Sequence, residues 1–215
     1  MEKMDEFFAV RAEGYDEHML NEVGGCRECY AKMAELVPVG TKNLLDLGCG
    51  TGLELKGIFE RFPDVSVTGI DITKAMLDRL SEKYQGKNII LICGDYFTAD
   101  LGRECFDTAI SFQTMHHFSH EKKIGLYRKI RDSLKSGGVY IECDYMVETQ
   151  AEEDKWYSEN ALIRKEQGIS DDEFYHYDTP CTIENQIKMF KTAGFSSAEK
   201  VFKIENTTII IAKKD

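Results

Sequence analysis

Three glycines at alternating positions, Gly48, Gly50 and Gly52, follow a short apolar run that contains Asp46. Glycine tolerates positive φ and has no Cβ, so this pattern predicts a tight turn from a strand into a helix. The backbone of such a turn can touch a ligand directly, and the helix that follows offers its unpaired N–H groups to the same ligand. The turn is therefore the first candidate binding site for a small polar molecule.

Acidic side chains follow the next two apolar runs of the sequence. Asp71 stands at a distance from the glycine turn that lets its carboxylate accept hydrogen bonds from both hydroxyls of a ribose. Asp95 can accept a hydrogen bond from an exocyclic amine, and Met76 and Tyr96 can pack on the two faces of a base. A ribose and an aminated base together indicate a ligand that contains adenosine.

The elements that must position these residues alternate along the chain. Apolar runs cover residues 43–47, 66–70, 88–93, 107–112 and 139–143, and helical patterns cover residues 51–61, 73–84, 120–134 and 182–192. Buried strands separated by helices predict an α/β doubly wound fold with a mostly parallel sheet and helices on both faces. The last two runs, 197–203 and 207–213, are joined so closely that they can form only an antiparallel hairpin. Ligands of such sheets bind beyond the trailing ends of the parallel strands, where polar residues of this chain gather.

Two segments lie outside this alternation. Residues 1–36 look helical with an aromatic face, and residues 147–178 hold a second aromatic cluster. We interpret both as lids over the site. The whole chain, residues 1–215, is expected to fold as one domain.

Composition and charge make some classes of function less favourable than others. The net charge of −11 disfavours nucleic acid and anionic membranes as partners, and no apolar run is long enough to cross a bilayer. The N-terminus lacks a secretory pattern and the seven cysteines are an odd number, so a cytoplasmic location is expected. Cys26 and Cys29 have the spacing of metal ligands, but no second pair completes a zinc site, and no metal is predicted.

With these motifs, the chain resembles the class I S-adenosylmethionine-dependent methyltransferases, a Rossmann-like family. The matching stretches are Leu44 to Gly52, Gly69 to Ile72, Gly94 to Tyr96, Phe106 to Phe118 and Leu134 to Gly138. The glycine pattern here differs from the Gly-x-Gly-x-x-Gly of dinucleotide-binding proteins. The resemblance implies seven strands in the order 3-2-1-4-5-7-6, with the last strand antiparallel, and S-adenosyl-L-methionine as the cofactor.

The resemblance also implies roles for individual residues. Gly48 and Gly50 would approach the methionine part of the cofactor, Asp71 would hold the ribose, and Asp95 would hold the adenine amine with Tyr96 beside it. Tyr15 resembles a tyrosine that closes over the cofactor. The other expected cofactor contacts are Asp46, Cys49, Ile72, Met76, Ser111, Phe112 and Gln113.

Methyl transfer from a sulfonium is a direct displacement, which mainly requires alignment of the acceptor atom and exclusion of water. If the acceptor carries a proton, His116, His117 or His176 can remove it. The lids favour a methyltransferase that acts on a small molecule. The alternatives are an RNA or protein methyltransferase, a cofactor-binding protein without transfer activity and a nicotinamide-dependent oxidoreductase. Neither the acceptor atom nor the oligomeric state follows from the sequence.

Overall fold

The computed structural model describes residues 1–170 and 172–215. The helices are α1 (Met4–Arg11), α2 (Tyr15–Asn21), α3 (Cys26–Leu36), α4 (Leu55–Arg61), α5 (Lys74–Lys83), α6 (His120–Ser133), α7 (Gln150–Gln167) and α8 (Ile183–Ala193). The strands are β1 (Asn43–Leu47), β2 (Ser66–Asp71), β3 (Ile89–Cys93), β4 (Phe106–Phe112), β5 (Leu134–Val147), β6 (Cys181–Thr182), β7 (Ser197–Ile204) and β8 (Thr207–Lys213). A short 3₁₀ turn, Met115–His117, follows β4.

The main sheet has the order β3-β2-β1-β4-β5-β8-β7. Strands β1 to β5 pair in parallel, whereas β8 is antiparallel to both of its neighbours. Since β7 and β8 are the predicted sixth and seventh strands, the predicted order and the doubly wound α/β fold are confirmed. Within residues 1–170 and 172–215, the one strand that the structure adds is β6, a two-residue strand that pairs with the end of β5.

The core lies on both faces of this sheet because side chains alternate along each strand. In β1, Leu44 packs into the cluster that holds α3 and α4, while Leu45 and Leu47 pack into the cluster that holds α6 and α8. Burial of both faces explains why the strands read as continuous apolar runs. The face that receives α3 includes Cys26, which is fully buried.

Two element boundaries differ from those in the sequence analysis. The helix expected over 51–61 begins at Leu55, because Gly48, Gly50 and Gly52 have φ values of 67°, 47° and 72° and the turn therefore extends past them. The fifth strand is also longer than expected, since β5 runs from the end of α6 to the start of α7.

The two predicted lid segments contact each other. Met4 N donates a hydrogen bond of 3.0 Å to the carbonyl oxygen of Phe174, and His176 N donates one of 3.0 Å to that of Glu2. The Phe7 ring stacks on the His176 ring at a centroid distance of 3.5 Å. The start of the chain, α1 and residues 174–176 therefore form one cover over the rim of the sheet.

The remaining parts of these segments are anchored elsewhere. Helix α3 is packed into the core, so only α1 and α2 of the N-terminal segment lie over the rim. Helix α7 begins with a capping box between Thr149 and Glu152, and its Trp156 ring lies 6.1 Å from the Tyr177 ring. Among the residues that the structure describes, no helix has both the length and the apolar composition to cross a membrane.

Candidate active site

The glycine turn and the end of β2 are joined by one carboxylate. Oδ2 of Asp71 accepts a hydrogen bond of 2.9 Å from Gly50 N, and Oδ1 accepts one of 2.7 Å from Thr73 N. Each carboxylate oxygen has more than one acceptor direction, so Asp71 can still accept hydrogen bonds from a ligand. Burial raises the pKa of Asp71 above its ordinary value.

Gly48 also meets the segment that follows β4. A Cβ atom built on Gly48 would lie 2.6 Å from Oγ1 of Thr114, closer than real contacts allow. The same Oγ1 is 3.1 Å from the hydroxyl of Tyr96, which follows β3. The trailing ends of β1, β3 and β4 are thus in contact, as the doubly wound topology requires.

A cavity of about 50 Å³ lies at this point. Five predicted cofactor contacts line it, namely Gly48, Asp71, Ile72, Asp95 and Tyr96. Met4 and Phe8 of α1 and the ring of Phe174 also line this cavity. Small-molecule pockets usually measure roughly 300–1,000 Å³, so this cavity is several times smaller than they are.

A pair of buried carboxyl groups lies under the glycine turn. Asp46 is fully buried, and neither of its oxygens has a hydrogen-bond partner among the described residues. Burial, together with the negative charge of Glu54, raises the pKa of Asp46 well above its ordinary value. Burial raises the pKa of Glu54 to about 7. A buried carboxyl group without a hydrogen-bond partner, such as that of Asp46, is stabilised by a nearby cation.

Sequence reasoning identified Asp46 but missed Glu54. The available signal was an acidic residue two positions after Gly52, in a stretch otherwise interpreted as the start of a helix. Thr114 was missed as well, although it lies in the predicted polar segment after β4.

Two of the three predicted histidines form a cluster with carboxylates. His116 Nδ1 lies 2.6 Å from Oδ1 of Asp144, a buried residue of β5, and His116 Nε2 lies 3.5 Å from Oδ1 of Asp178. The same Asp178 oxygen is 3.4 Å from His117 Nδ1. Asp178 had no signal in the sequence, because it belongs to an irregular segment remote from the strand ends.

The histidines have different protonation tendencies. Burial alone would lower the pKa of His116, but the carboxylates of Asp144 and Asp178 raise it to about 9. Burial and the charge of His116 lower the pKa of His117. Burial and the charge of His117 lower the pKa of His176 to about 4, so this ring is neutral at pH 7. Although burial would raise the pKa of Asp178, the two histidines hold it well below its usual range.

A second, larger cavity of about 920 Å³ adjoins the first. The five other predicted site residues that line it are Tyr15, Gln113, His116, His117 and His176. Phe8 and His117 line both cavities, so the two spaces share a wall.

The structure places four other predicted cofactor contacts inside the core. Ser111 is within hydrogen-bond distance of the Tyr140 hydroxyl, at 2.7 Å, and the Phe112 ring stacks on Tyr30 at 3.8 Å. Met76 and Cys49 are both 1% exposed.

Several known proteins are similar to this chain in sequence. Residues 44–138 match a family model described as a methyltransferase domain. Carboxy-S-adenosyl-L-methionine synthase of a Nitratiruptor species is 27% identical, in an alignment that covers 100% of this chain and 95% of that protein. Malonyl-[acyl-carrier protein] O-methyltransferase of Acetivibrio thermocellus is 34% identical over a stretch that covers 50% of this chain and 37% of that protein.

Solved structures show the same fold. Human N-acetylserotonin methyltransferase in complex with S-adenosylmethionine superposes with a TM-score of 0.65 at 18% identity. The superposition covers 97% of this chain and 55% of the human chain, so this chain spans only about half the length of the human chain. Residues 44–138 therefore form a methyltransferase domain, and the chain has the fold of the class I S-adenosyl-L-methionine-dependent methyltransferases.

Proposed function

We propose that this enzyme transfers a methyl group to a small-molecule acceptor that binds in the cavity of about 920 Å³. The observation that carries the proposal is the wall that this cavity shares with the cofactor cavity through Phe8 and His117. The volume lies in the range of small-molecule pockets, roughly 300–1,000 Å³. The structurally similar human enzyme, N-acetylserotonin methyltransferase, also has a small acceptor in its name.

In this proposal the cofactor is bound by residues from three strand ends. Asp71 accepts hydrogen bonds from the ribose hydroxyls, and Asp95 accepts one from the adenine amine through the oxygen that Phe97 N does not occupy. The carboxyl pair of Asp46 and Glu54 compensates the charge of the cofactor's amino group. Bound S-adenosyl-L-methionine supplies an electrophilic methyl group on a sulfonium.

The acceptor is held by the cover and by the histidines. Closure of helix α1, helix α2 and residues 174–178 over the cavity would exclude water, which favours displacement at the methyl carbon. His116, His117 and His176 line the cavity and are the groups available to orient the acceptor or to accept its proton. Closure of the cover is expected to accompany each turnover. A cytoplasmic location stays part of the proposal, supported by seven free cysteines.

A second candidate is modification of the cofactor itself. The relatives named carboxy-S-adenosyl-L-methionine synthase align with this chain along its whole length, unlike the malonyl O-methyltransferase. On this alternative, the larger cavity would hold the donor of a carboxyl group, and S-adenosyl-L-methionine would be the acceptor.

One experiment separates these activities. The protein is incubated with methyl-labelled S-adenosyl-L-methionine and a metabolite extract, and the products are identified by mass spectrometry. A labelled small molecule together with S-adenosylhomocysteine supports the proposal. A cofactor that has gained a carboxyl group supports the second candidate. Label in added RNA or protein, or no conversion in any extract, contradicts both. An Asp71→Ala variant, whose cofactor binding should be strongly weakened, identifies background reactions when the cofactor is kept at a low concentration.

A further inference from the structure

Three potential metal ligands converge on the wall of the larger cavity. One nitrogen each of His116 and His117 and one oxygen of Asp178 all lie within 4.8 Å of one another. Asp178 Oδ1 lies 3.5 Å from His116 Nε2 and 3.4 Å from His117 Nδ1, and these distances can be compared with those between the ligand atoms of a zinc site. In a tetrahedral zinc site with ligands at roughly 2.05 Å, two ligand atoms are about 3.3 Å apart.

The charges in this arrangement suit either a proton or a metal ion between Asp178 and His116. Asp178 Oδ1 is buried and forms no hydrogen bond within the described residues. When the proton of His116 sits on Nδ1, facing Asp144, the lone pair of Nε2 faces the carboxylate oxygen of Asp178. Two lone pairs in this position repel each other unless a proton or a metal ion lies between them. A divalent ion also compensates the second carboxylate of the cluster.

The surroundings hold the ligands in place. Asp144 contacts the ring nitrogen of His116 that faces away from Asp178, the arrangement by which a carboxylate orients a metal-bound histidine. Thr179 donates hydrogen bonds to the His116 carbonyl oxygen from its N, at 2.6 Å, and from its Oγ1, at 2.9 Å. These bonds tie the 3₁₀ turn to the segment of Asp178. Metal binding would replace the weak contact of 3.3 Å between His117 Nδ1 and the Tyr177 carbonyl oxygen.

We propose that His116, His117 and Asp178 bind one zinc ion or a closely related divalent transition metal, with a further coordination position open to the acceptor cavity. Two imidazoles and one carboxylate are a donor set of open zinc sites, and imidazole disfavours magnesium and calcium. The role of the ion rests on the proposed function, because an acceptor oxygen bound to it would lose its proton more readily. The ion would then replace a histidine base.

Calorimetry on the tag-free, chelator-treated protein tests the site directly. Cys93 and Cys105, the two exposed thiols, are first replaced by serine to prevent binding elsewhere. We expect one equivalent of Zn²⁺ to bind, and Asp178→Asn and His117→Gln each to weaken binding at least about 100-fold. His18→Ala is the matched control. His18 Nδ1 also lies 2.9 Å from a carboxylate oxygen, that of Glu22, but this pair contains no second histidine. This variant should keep the affinity of the parent.

Cobalt gives a second measurement that does not depend on calorimetry. Co²⁺ in this site should produce visible absorption bands without a thiolate charge-transfer band.

Circular dichroism on each variant shows whether it is folded. Asp144→Asn should weaken metal binding by about 10-fold. Absence of Zn²⁺ and Co²⁺ binding to the folded parent, or binding that persists in both ligand variants, would overturn the site.

The same samples separate this inference from the proposed function. Cofactor binding and methyl transfer are measured before and after removal of the metal. Transfer that is equal in metal-free protein leaves the proposed function intact and contradicts a role for the ion in the reaction. Transfer that is lost on metal removal and restored by Zn²⁺ supports both.

Discussion

Gly50 and Asp71 are linked by a hydrogen bond of 2.9 Å from the backbone N–H of the glycine to Oδ2 of the carboxylate. The bond joins the trailing ends of the neighbouring strands β1 and β2. The carboxylate thus holds the glycine turn in shape and, in our proposal, also holds the ribose.

Replacement of Asp71 should therefore weaken cofactor binding strongly. We expect Asp71→Ala to cost about 2–3 kcal/mol of binding free energy, or roughly 30- to 150-fold in affinity, because charge-assisted hydrogen bonds are lost. Calorimetric titration with S-adenosyl-L-methionine measures this change. Asp78→Ala is the control, since Asp78 pairs with Lys74 on the exposed face of α5. Equal affinities in the two variants would remove Asp71 from the site.

Replacement of Gly48 by alanine should lower the free energy of unfolding more than the same replacement at another glycine with positive φ. Gly40 has a φ of 93° and open space around a built Cβ, so Gly40→Ala should lower the free energy of unfolding by only about 1–2 kcal/mol. Gly48→Ala adds a clash with Thr114 and should cost about 1–2 kcal/mol more. Urea unfolding of both variants checks the difference, and equal losses would contradict it.

The pH dependence of stability should reveal the carboxyl pair. The folded-state pKa of Glu54, about 7, exceeds its ordinary 4.5, so folding binds a proton. The resulting stability is complete below about pH 4.5 and is lost as the pH rises through about 7. Between about pH 5 and pH 8, this effect should lower the free energy of unfolding by roughly 1–3 kcal/mol.

Glu54→Gln isolates this contribution. Between pH 5 and pH 8, the free energy of unfolding of the variant should fall less than that of the parent. The raised pKa of His116 affects both proteins equally and cancels in the comparison. Urea titrations at several pH values provide the measurement. Parallel pH profiles would show that Glu54 titrates normally.

Loosening the cover should change the kinetics of cofactor exchange. Phe7→Ala removes the stacking contact with His176 and should increase the dissociation rate of S-adenosyl-L-methionine several-fold. Val10→Ala is a suitable control on the same helix, because Val10 is 76% exposed. Displacement of labelled cofactor by an excess of unlabelled cofactor gives both rates. A dissociation rate unchanged by Phe7→Ala would argue against a gating role for α1.

Much of the fold was predictable, because burial on both faces of a parallel sheet leaves a continuous apolar signature in each strand. The glycine turn, Asp71 and Asp95 were also predictable, since topology places the residues after parallel strands at one rim. Ser111 shows the limit of this rule. It precedes the rim by one position and instead faces Tyr140 in the core.

The histidine cluster could not be assembled from sequence. His116 and His117 follow β4, but Asp178 reaches them only through an irregular segment whose path depends on tertiary contacts such as that of Thr179 with the His116 carbonyl oxygen. The spacing of Cys26 and Cys29 is a local signal, and local spacing carries no information on residues that only the fold brings together. Glu54 was hidden for a different reason, because its burial depends on the turn remaining non-helical up to that position.

The position of Trp156 gives the protein an internal optical probe. It is the only tryptophan of the chain, and its indole lies 6.1 Å from the Tyr177 ring, next to Asp178. Any displacement of that segment alters the surroundings of the indole and hence its fluorescence. Rearrangements at the catalytic rim can therefore be followed in real time on the unlabelled enzyme.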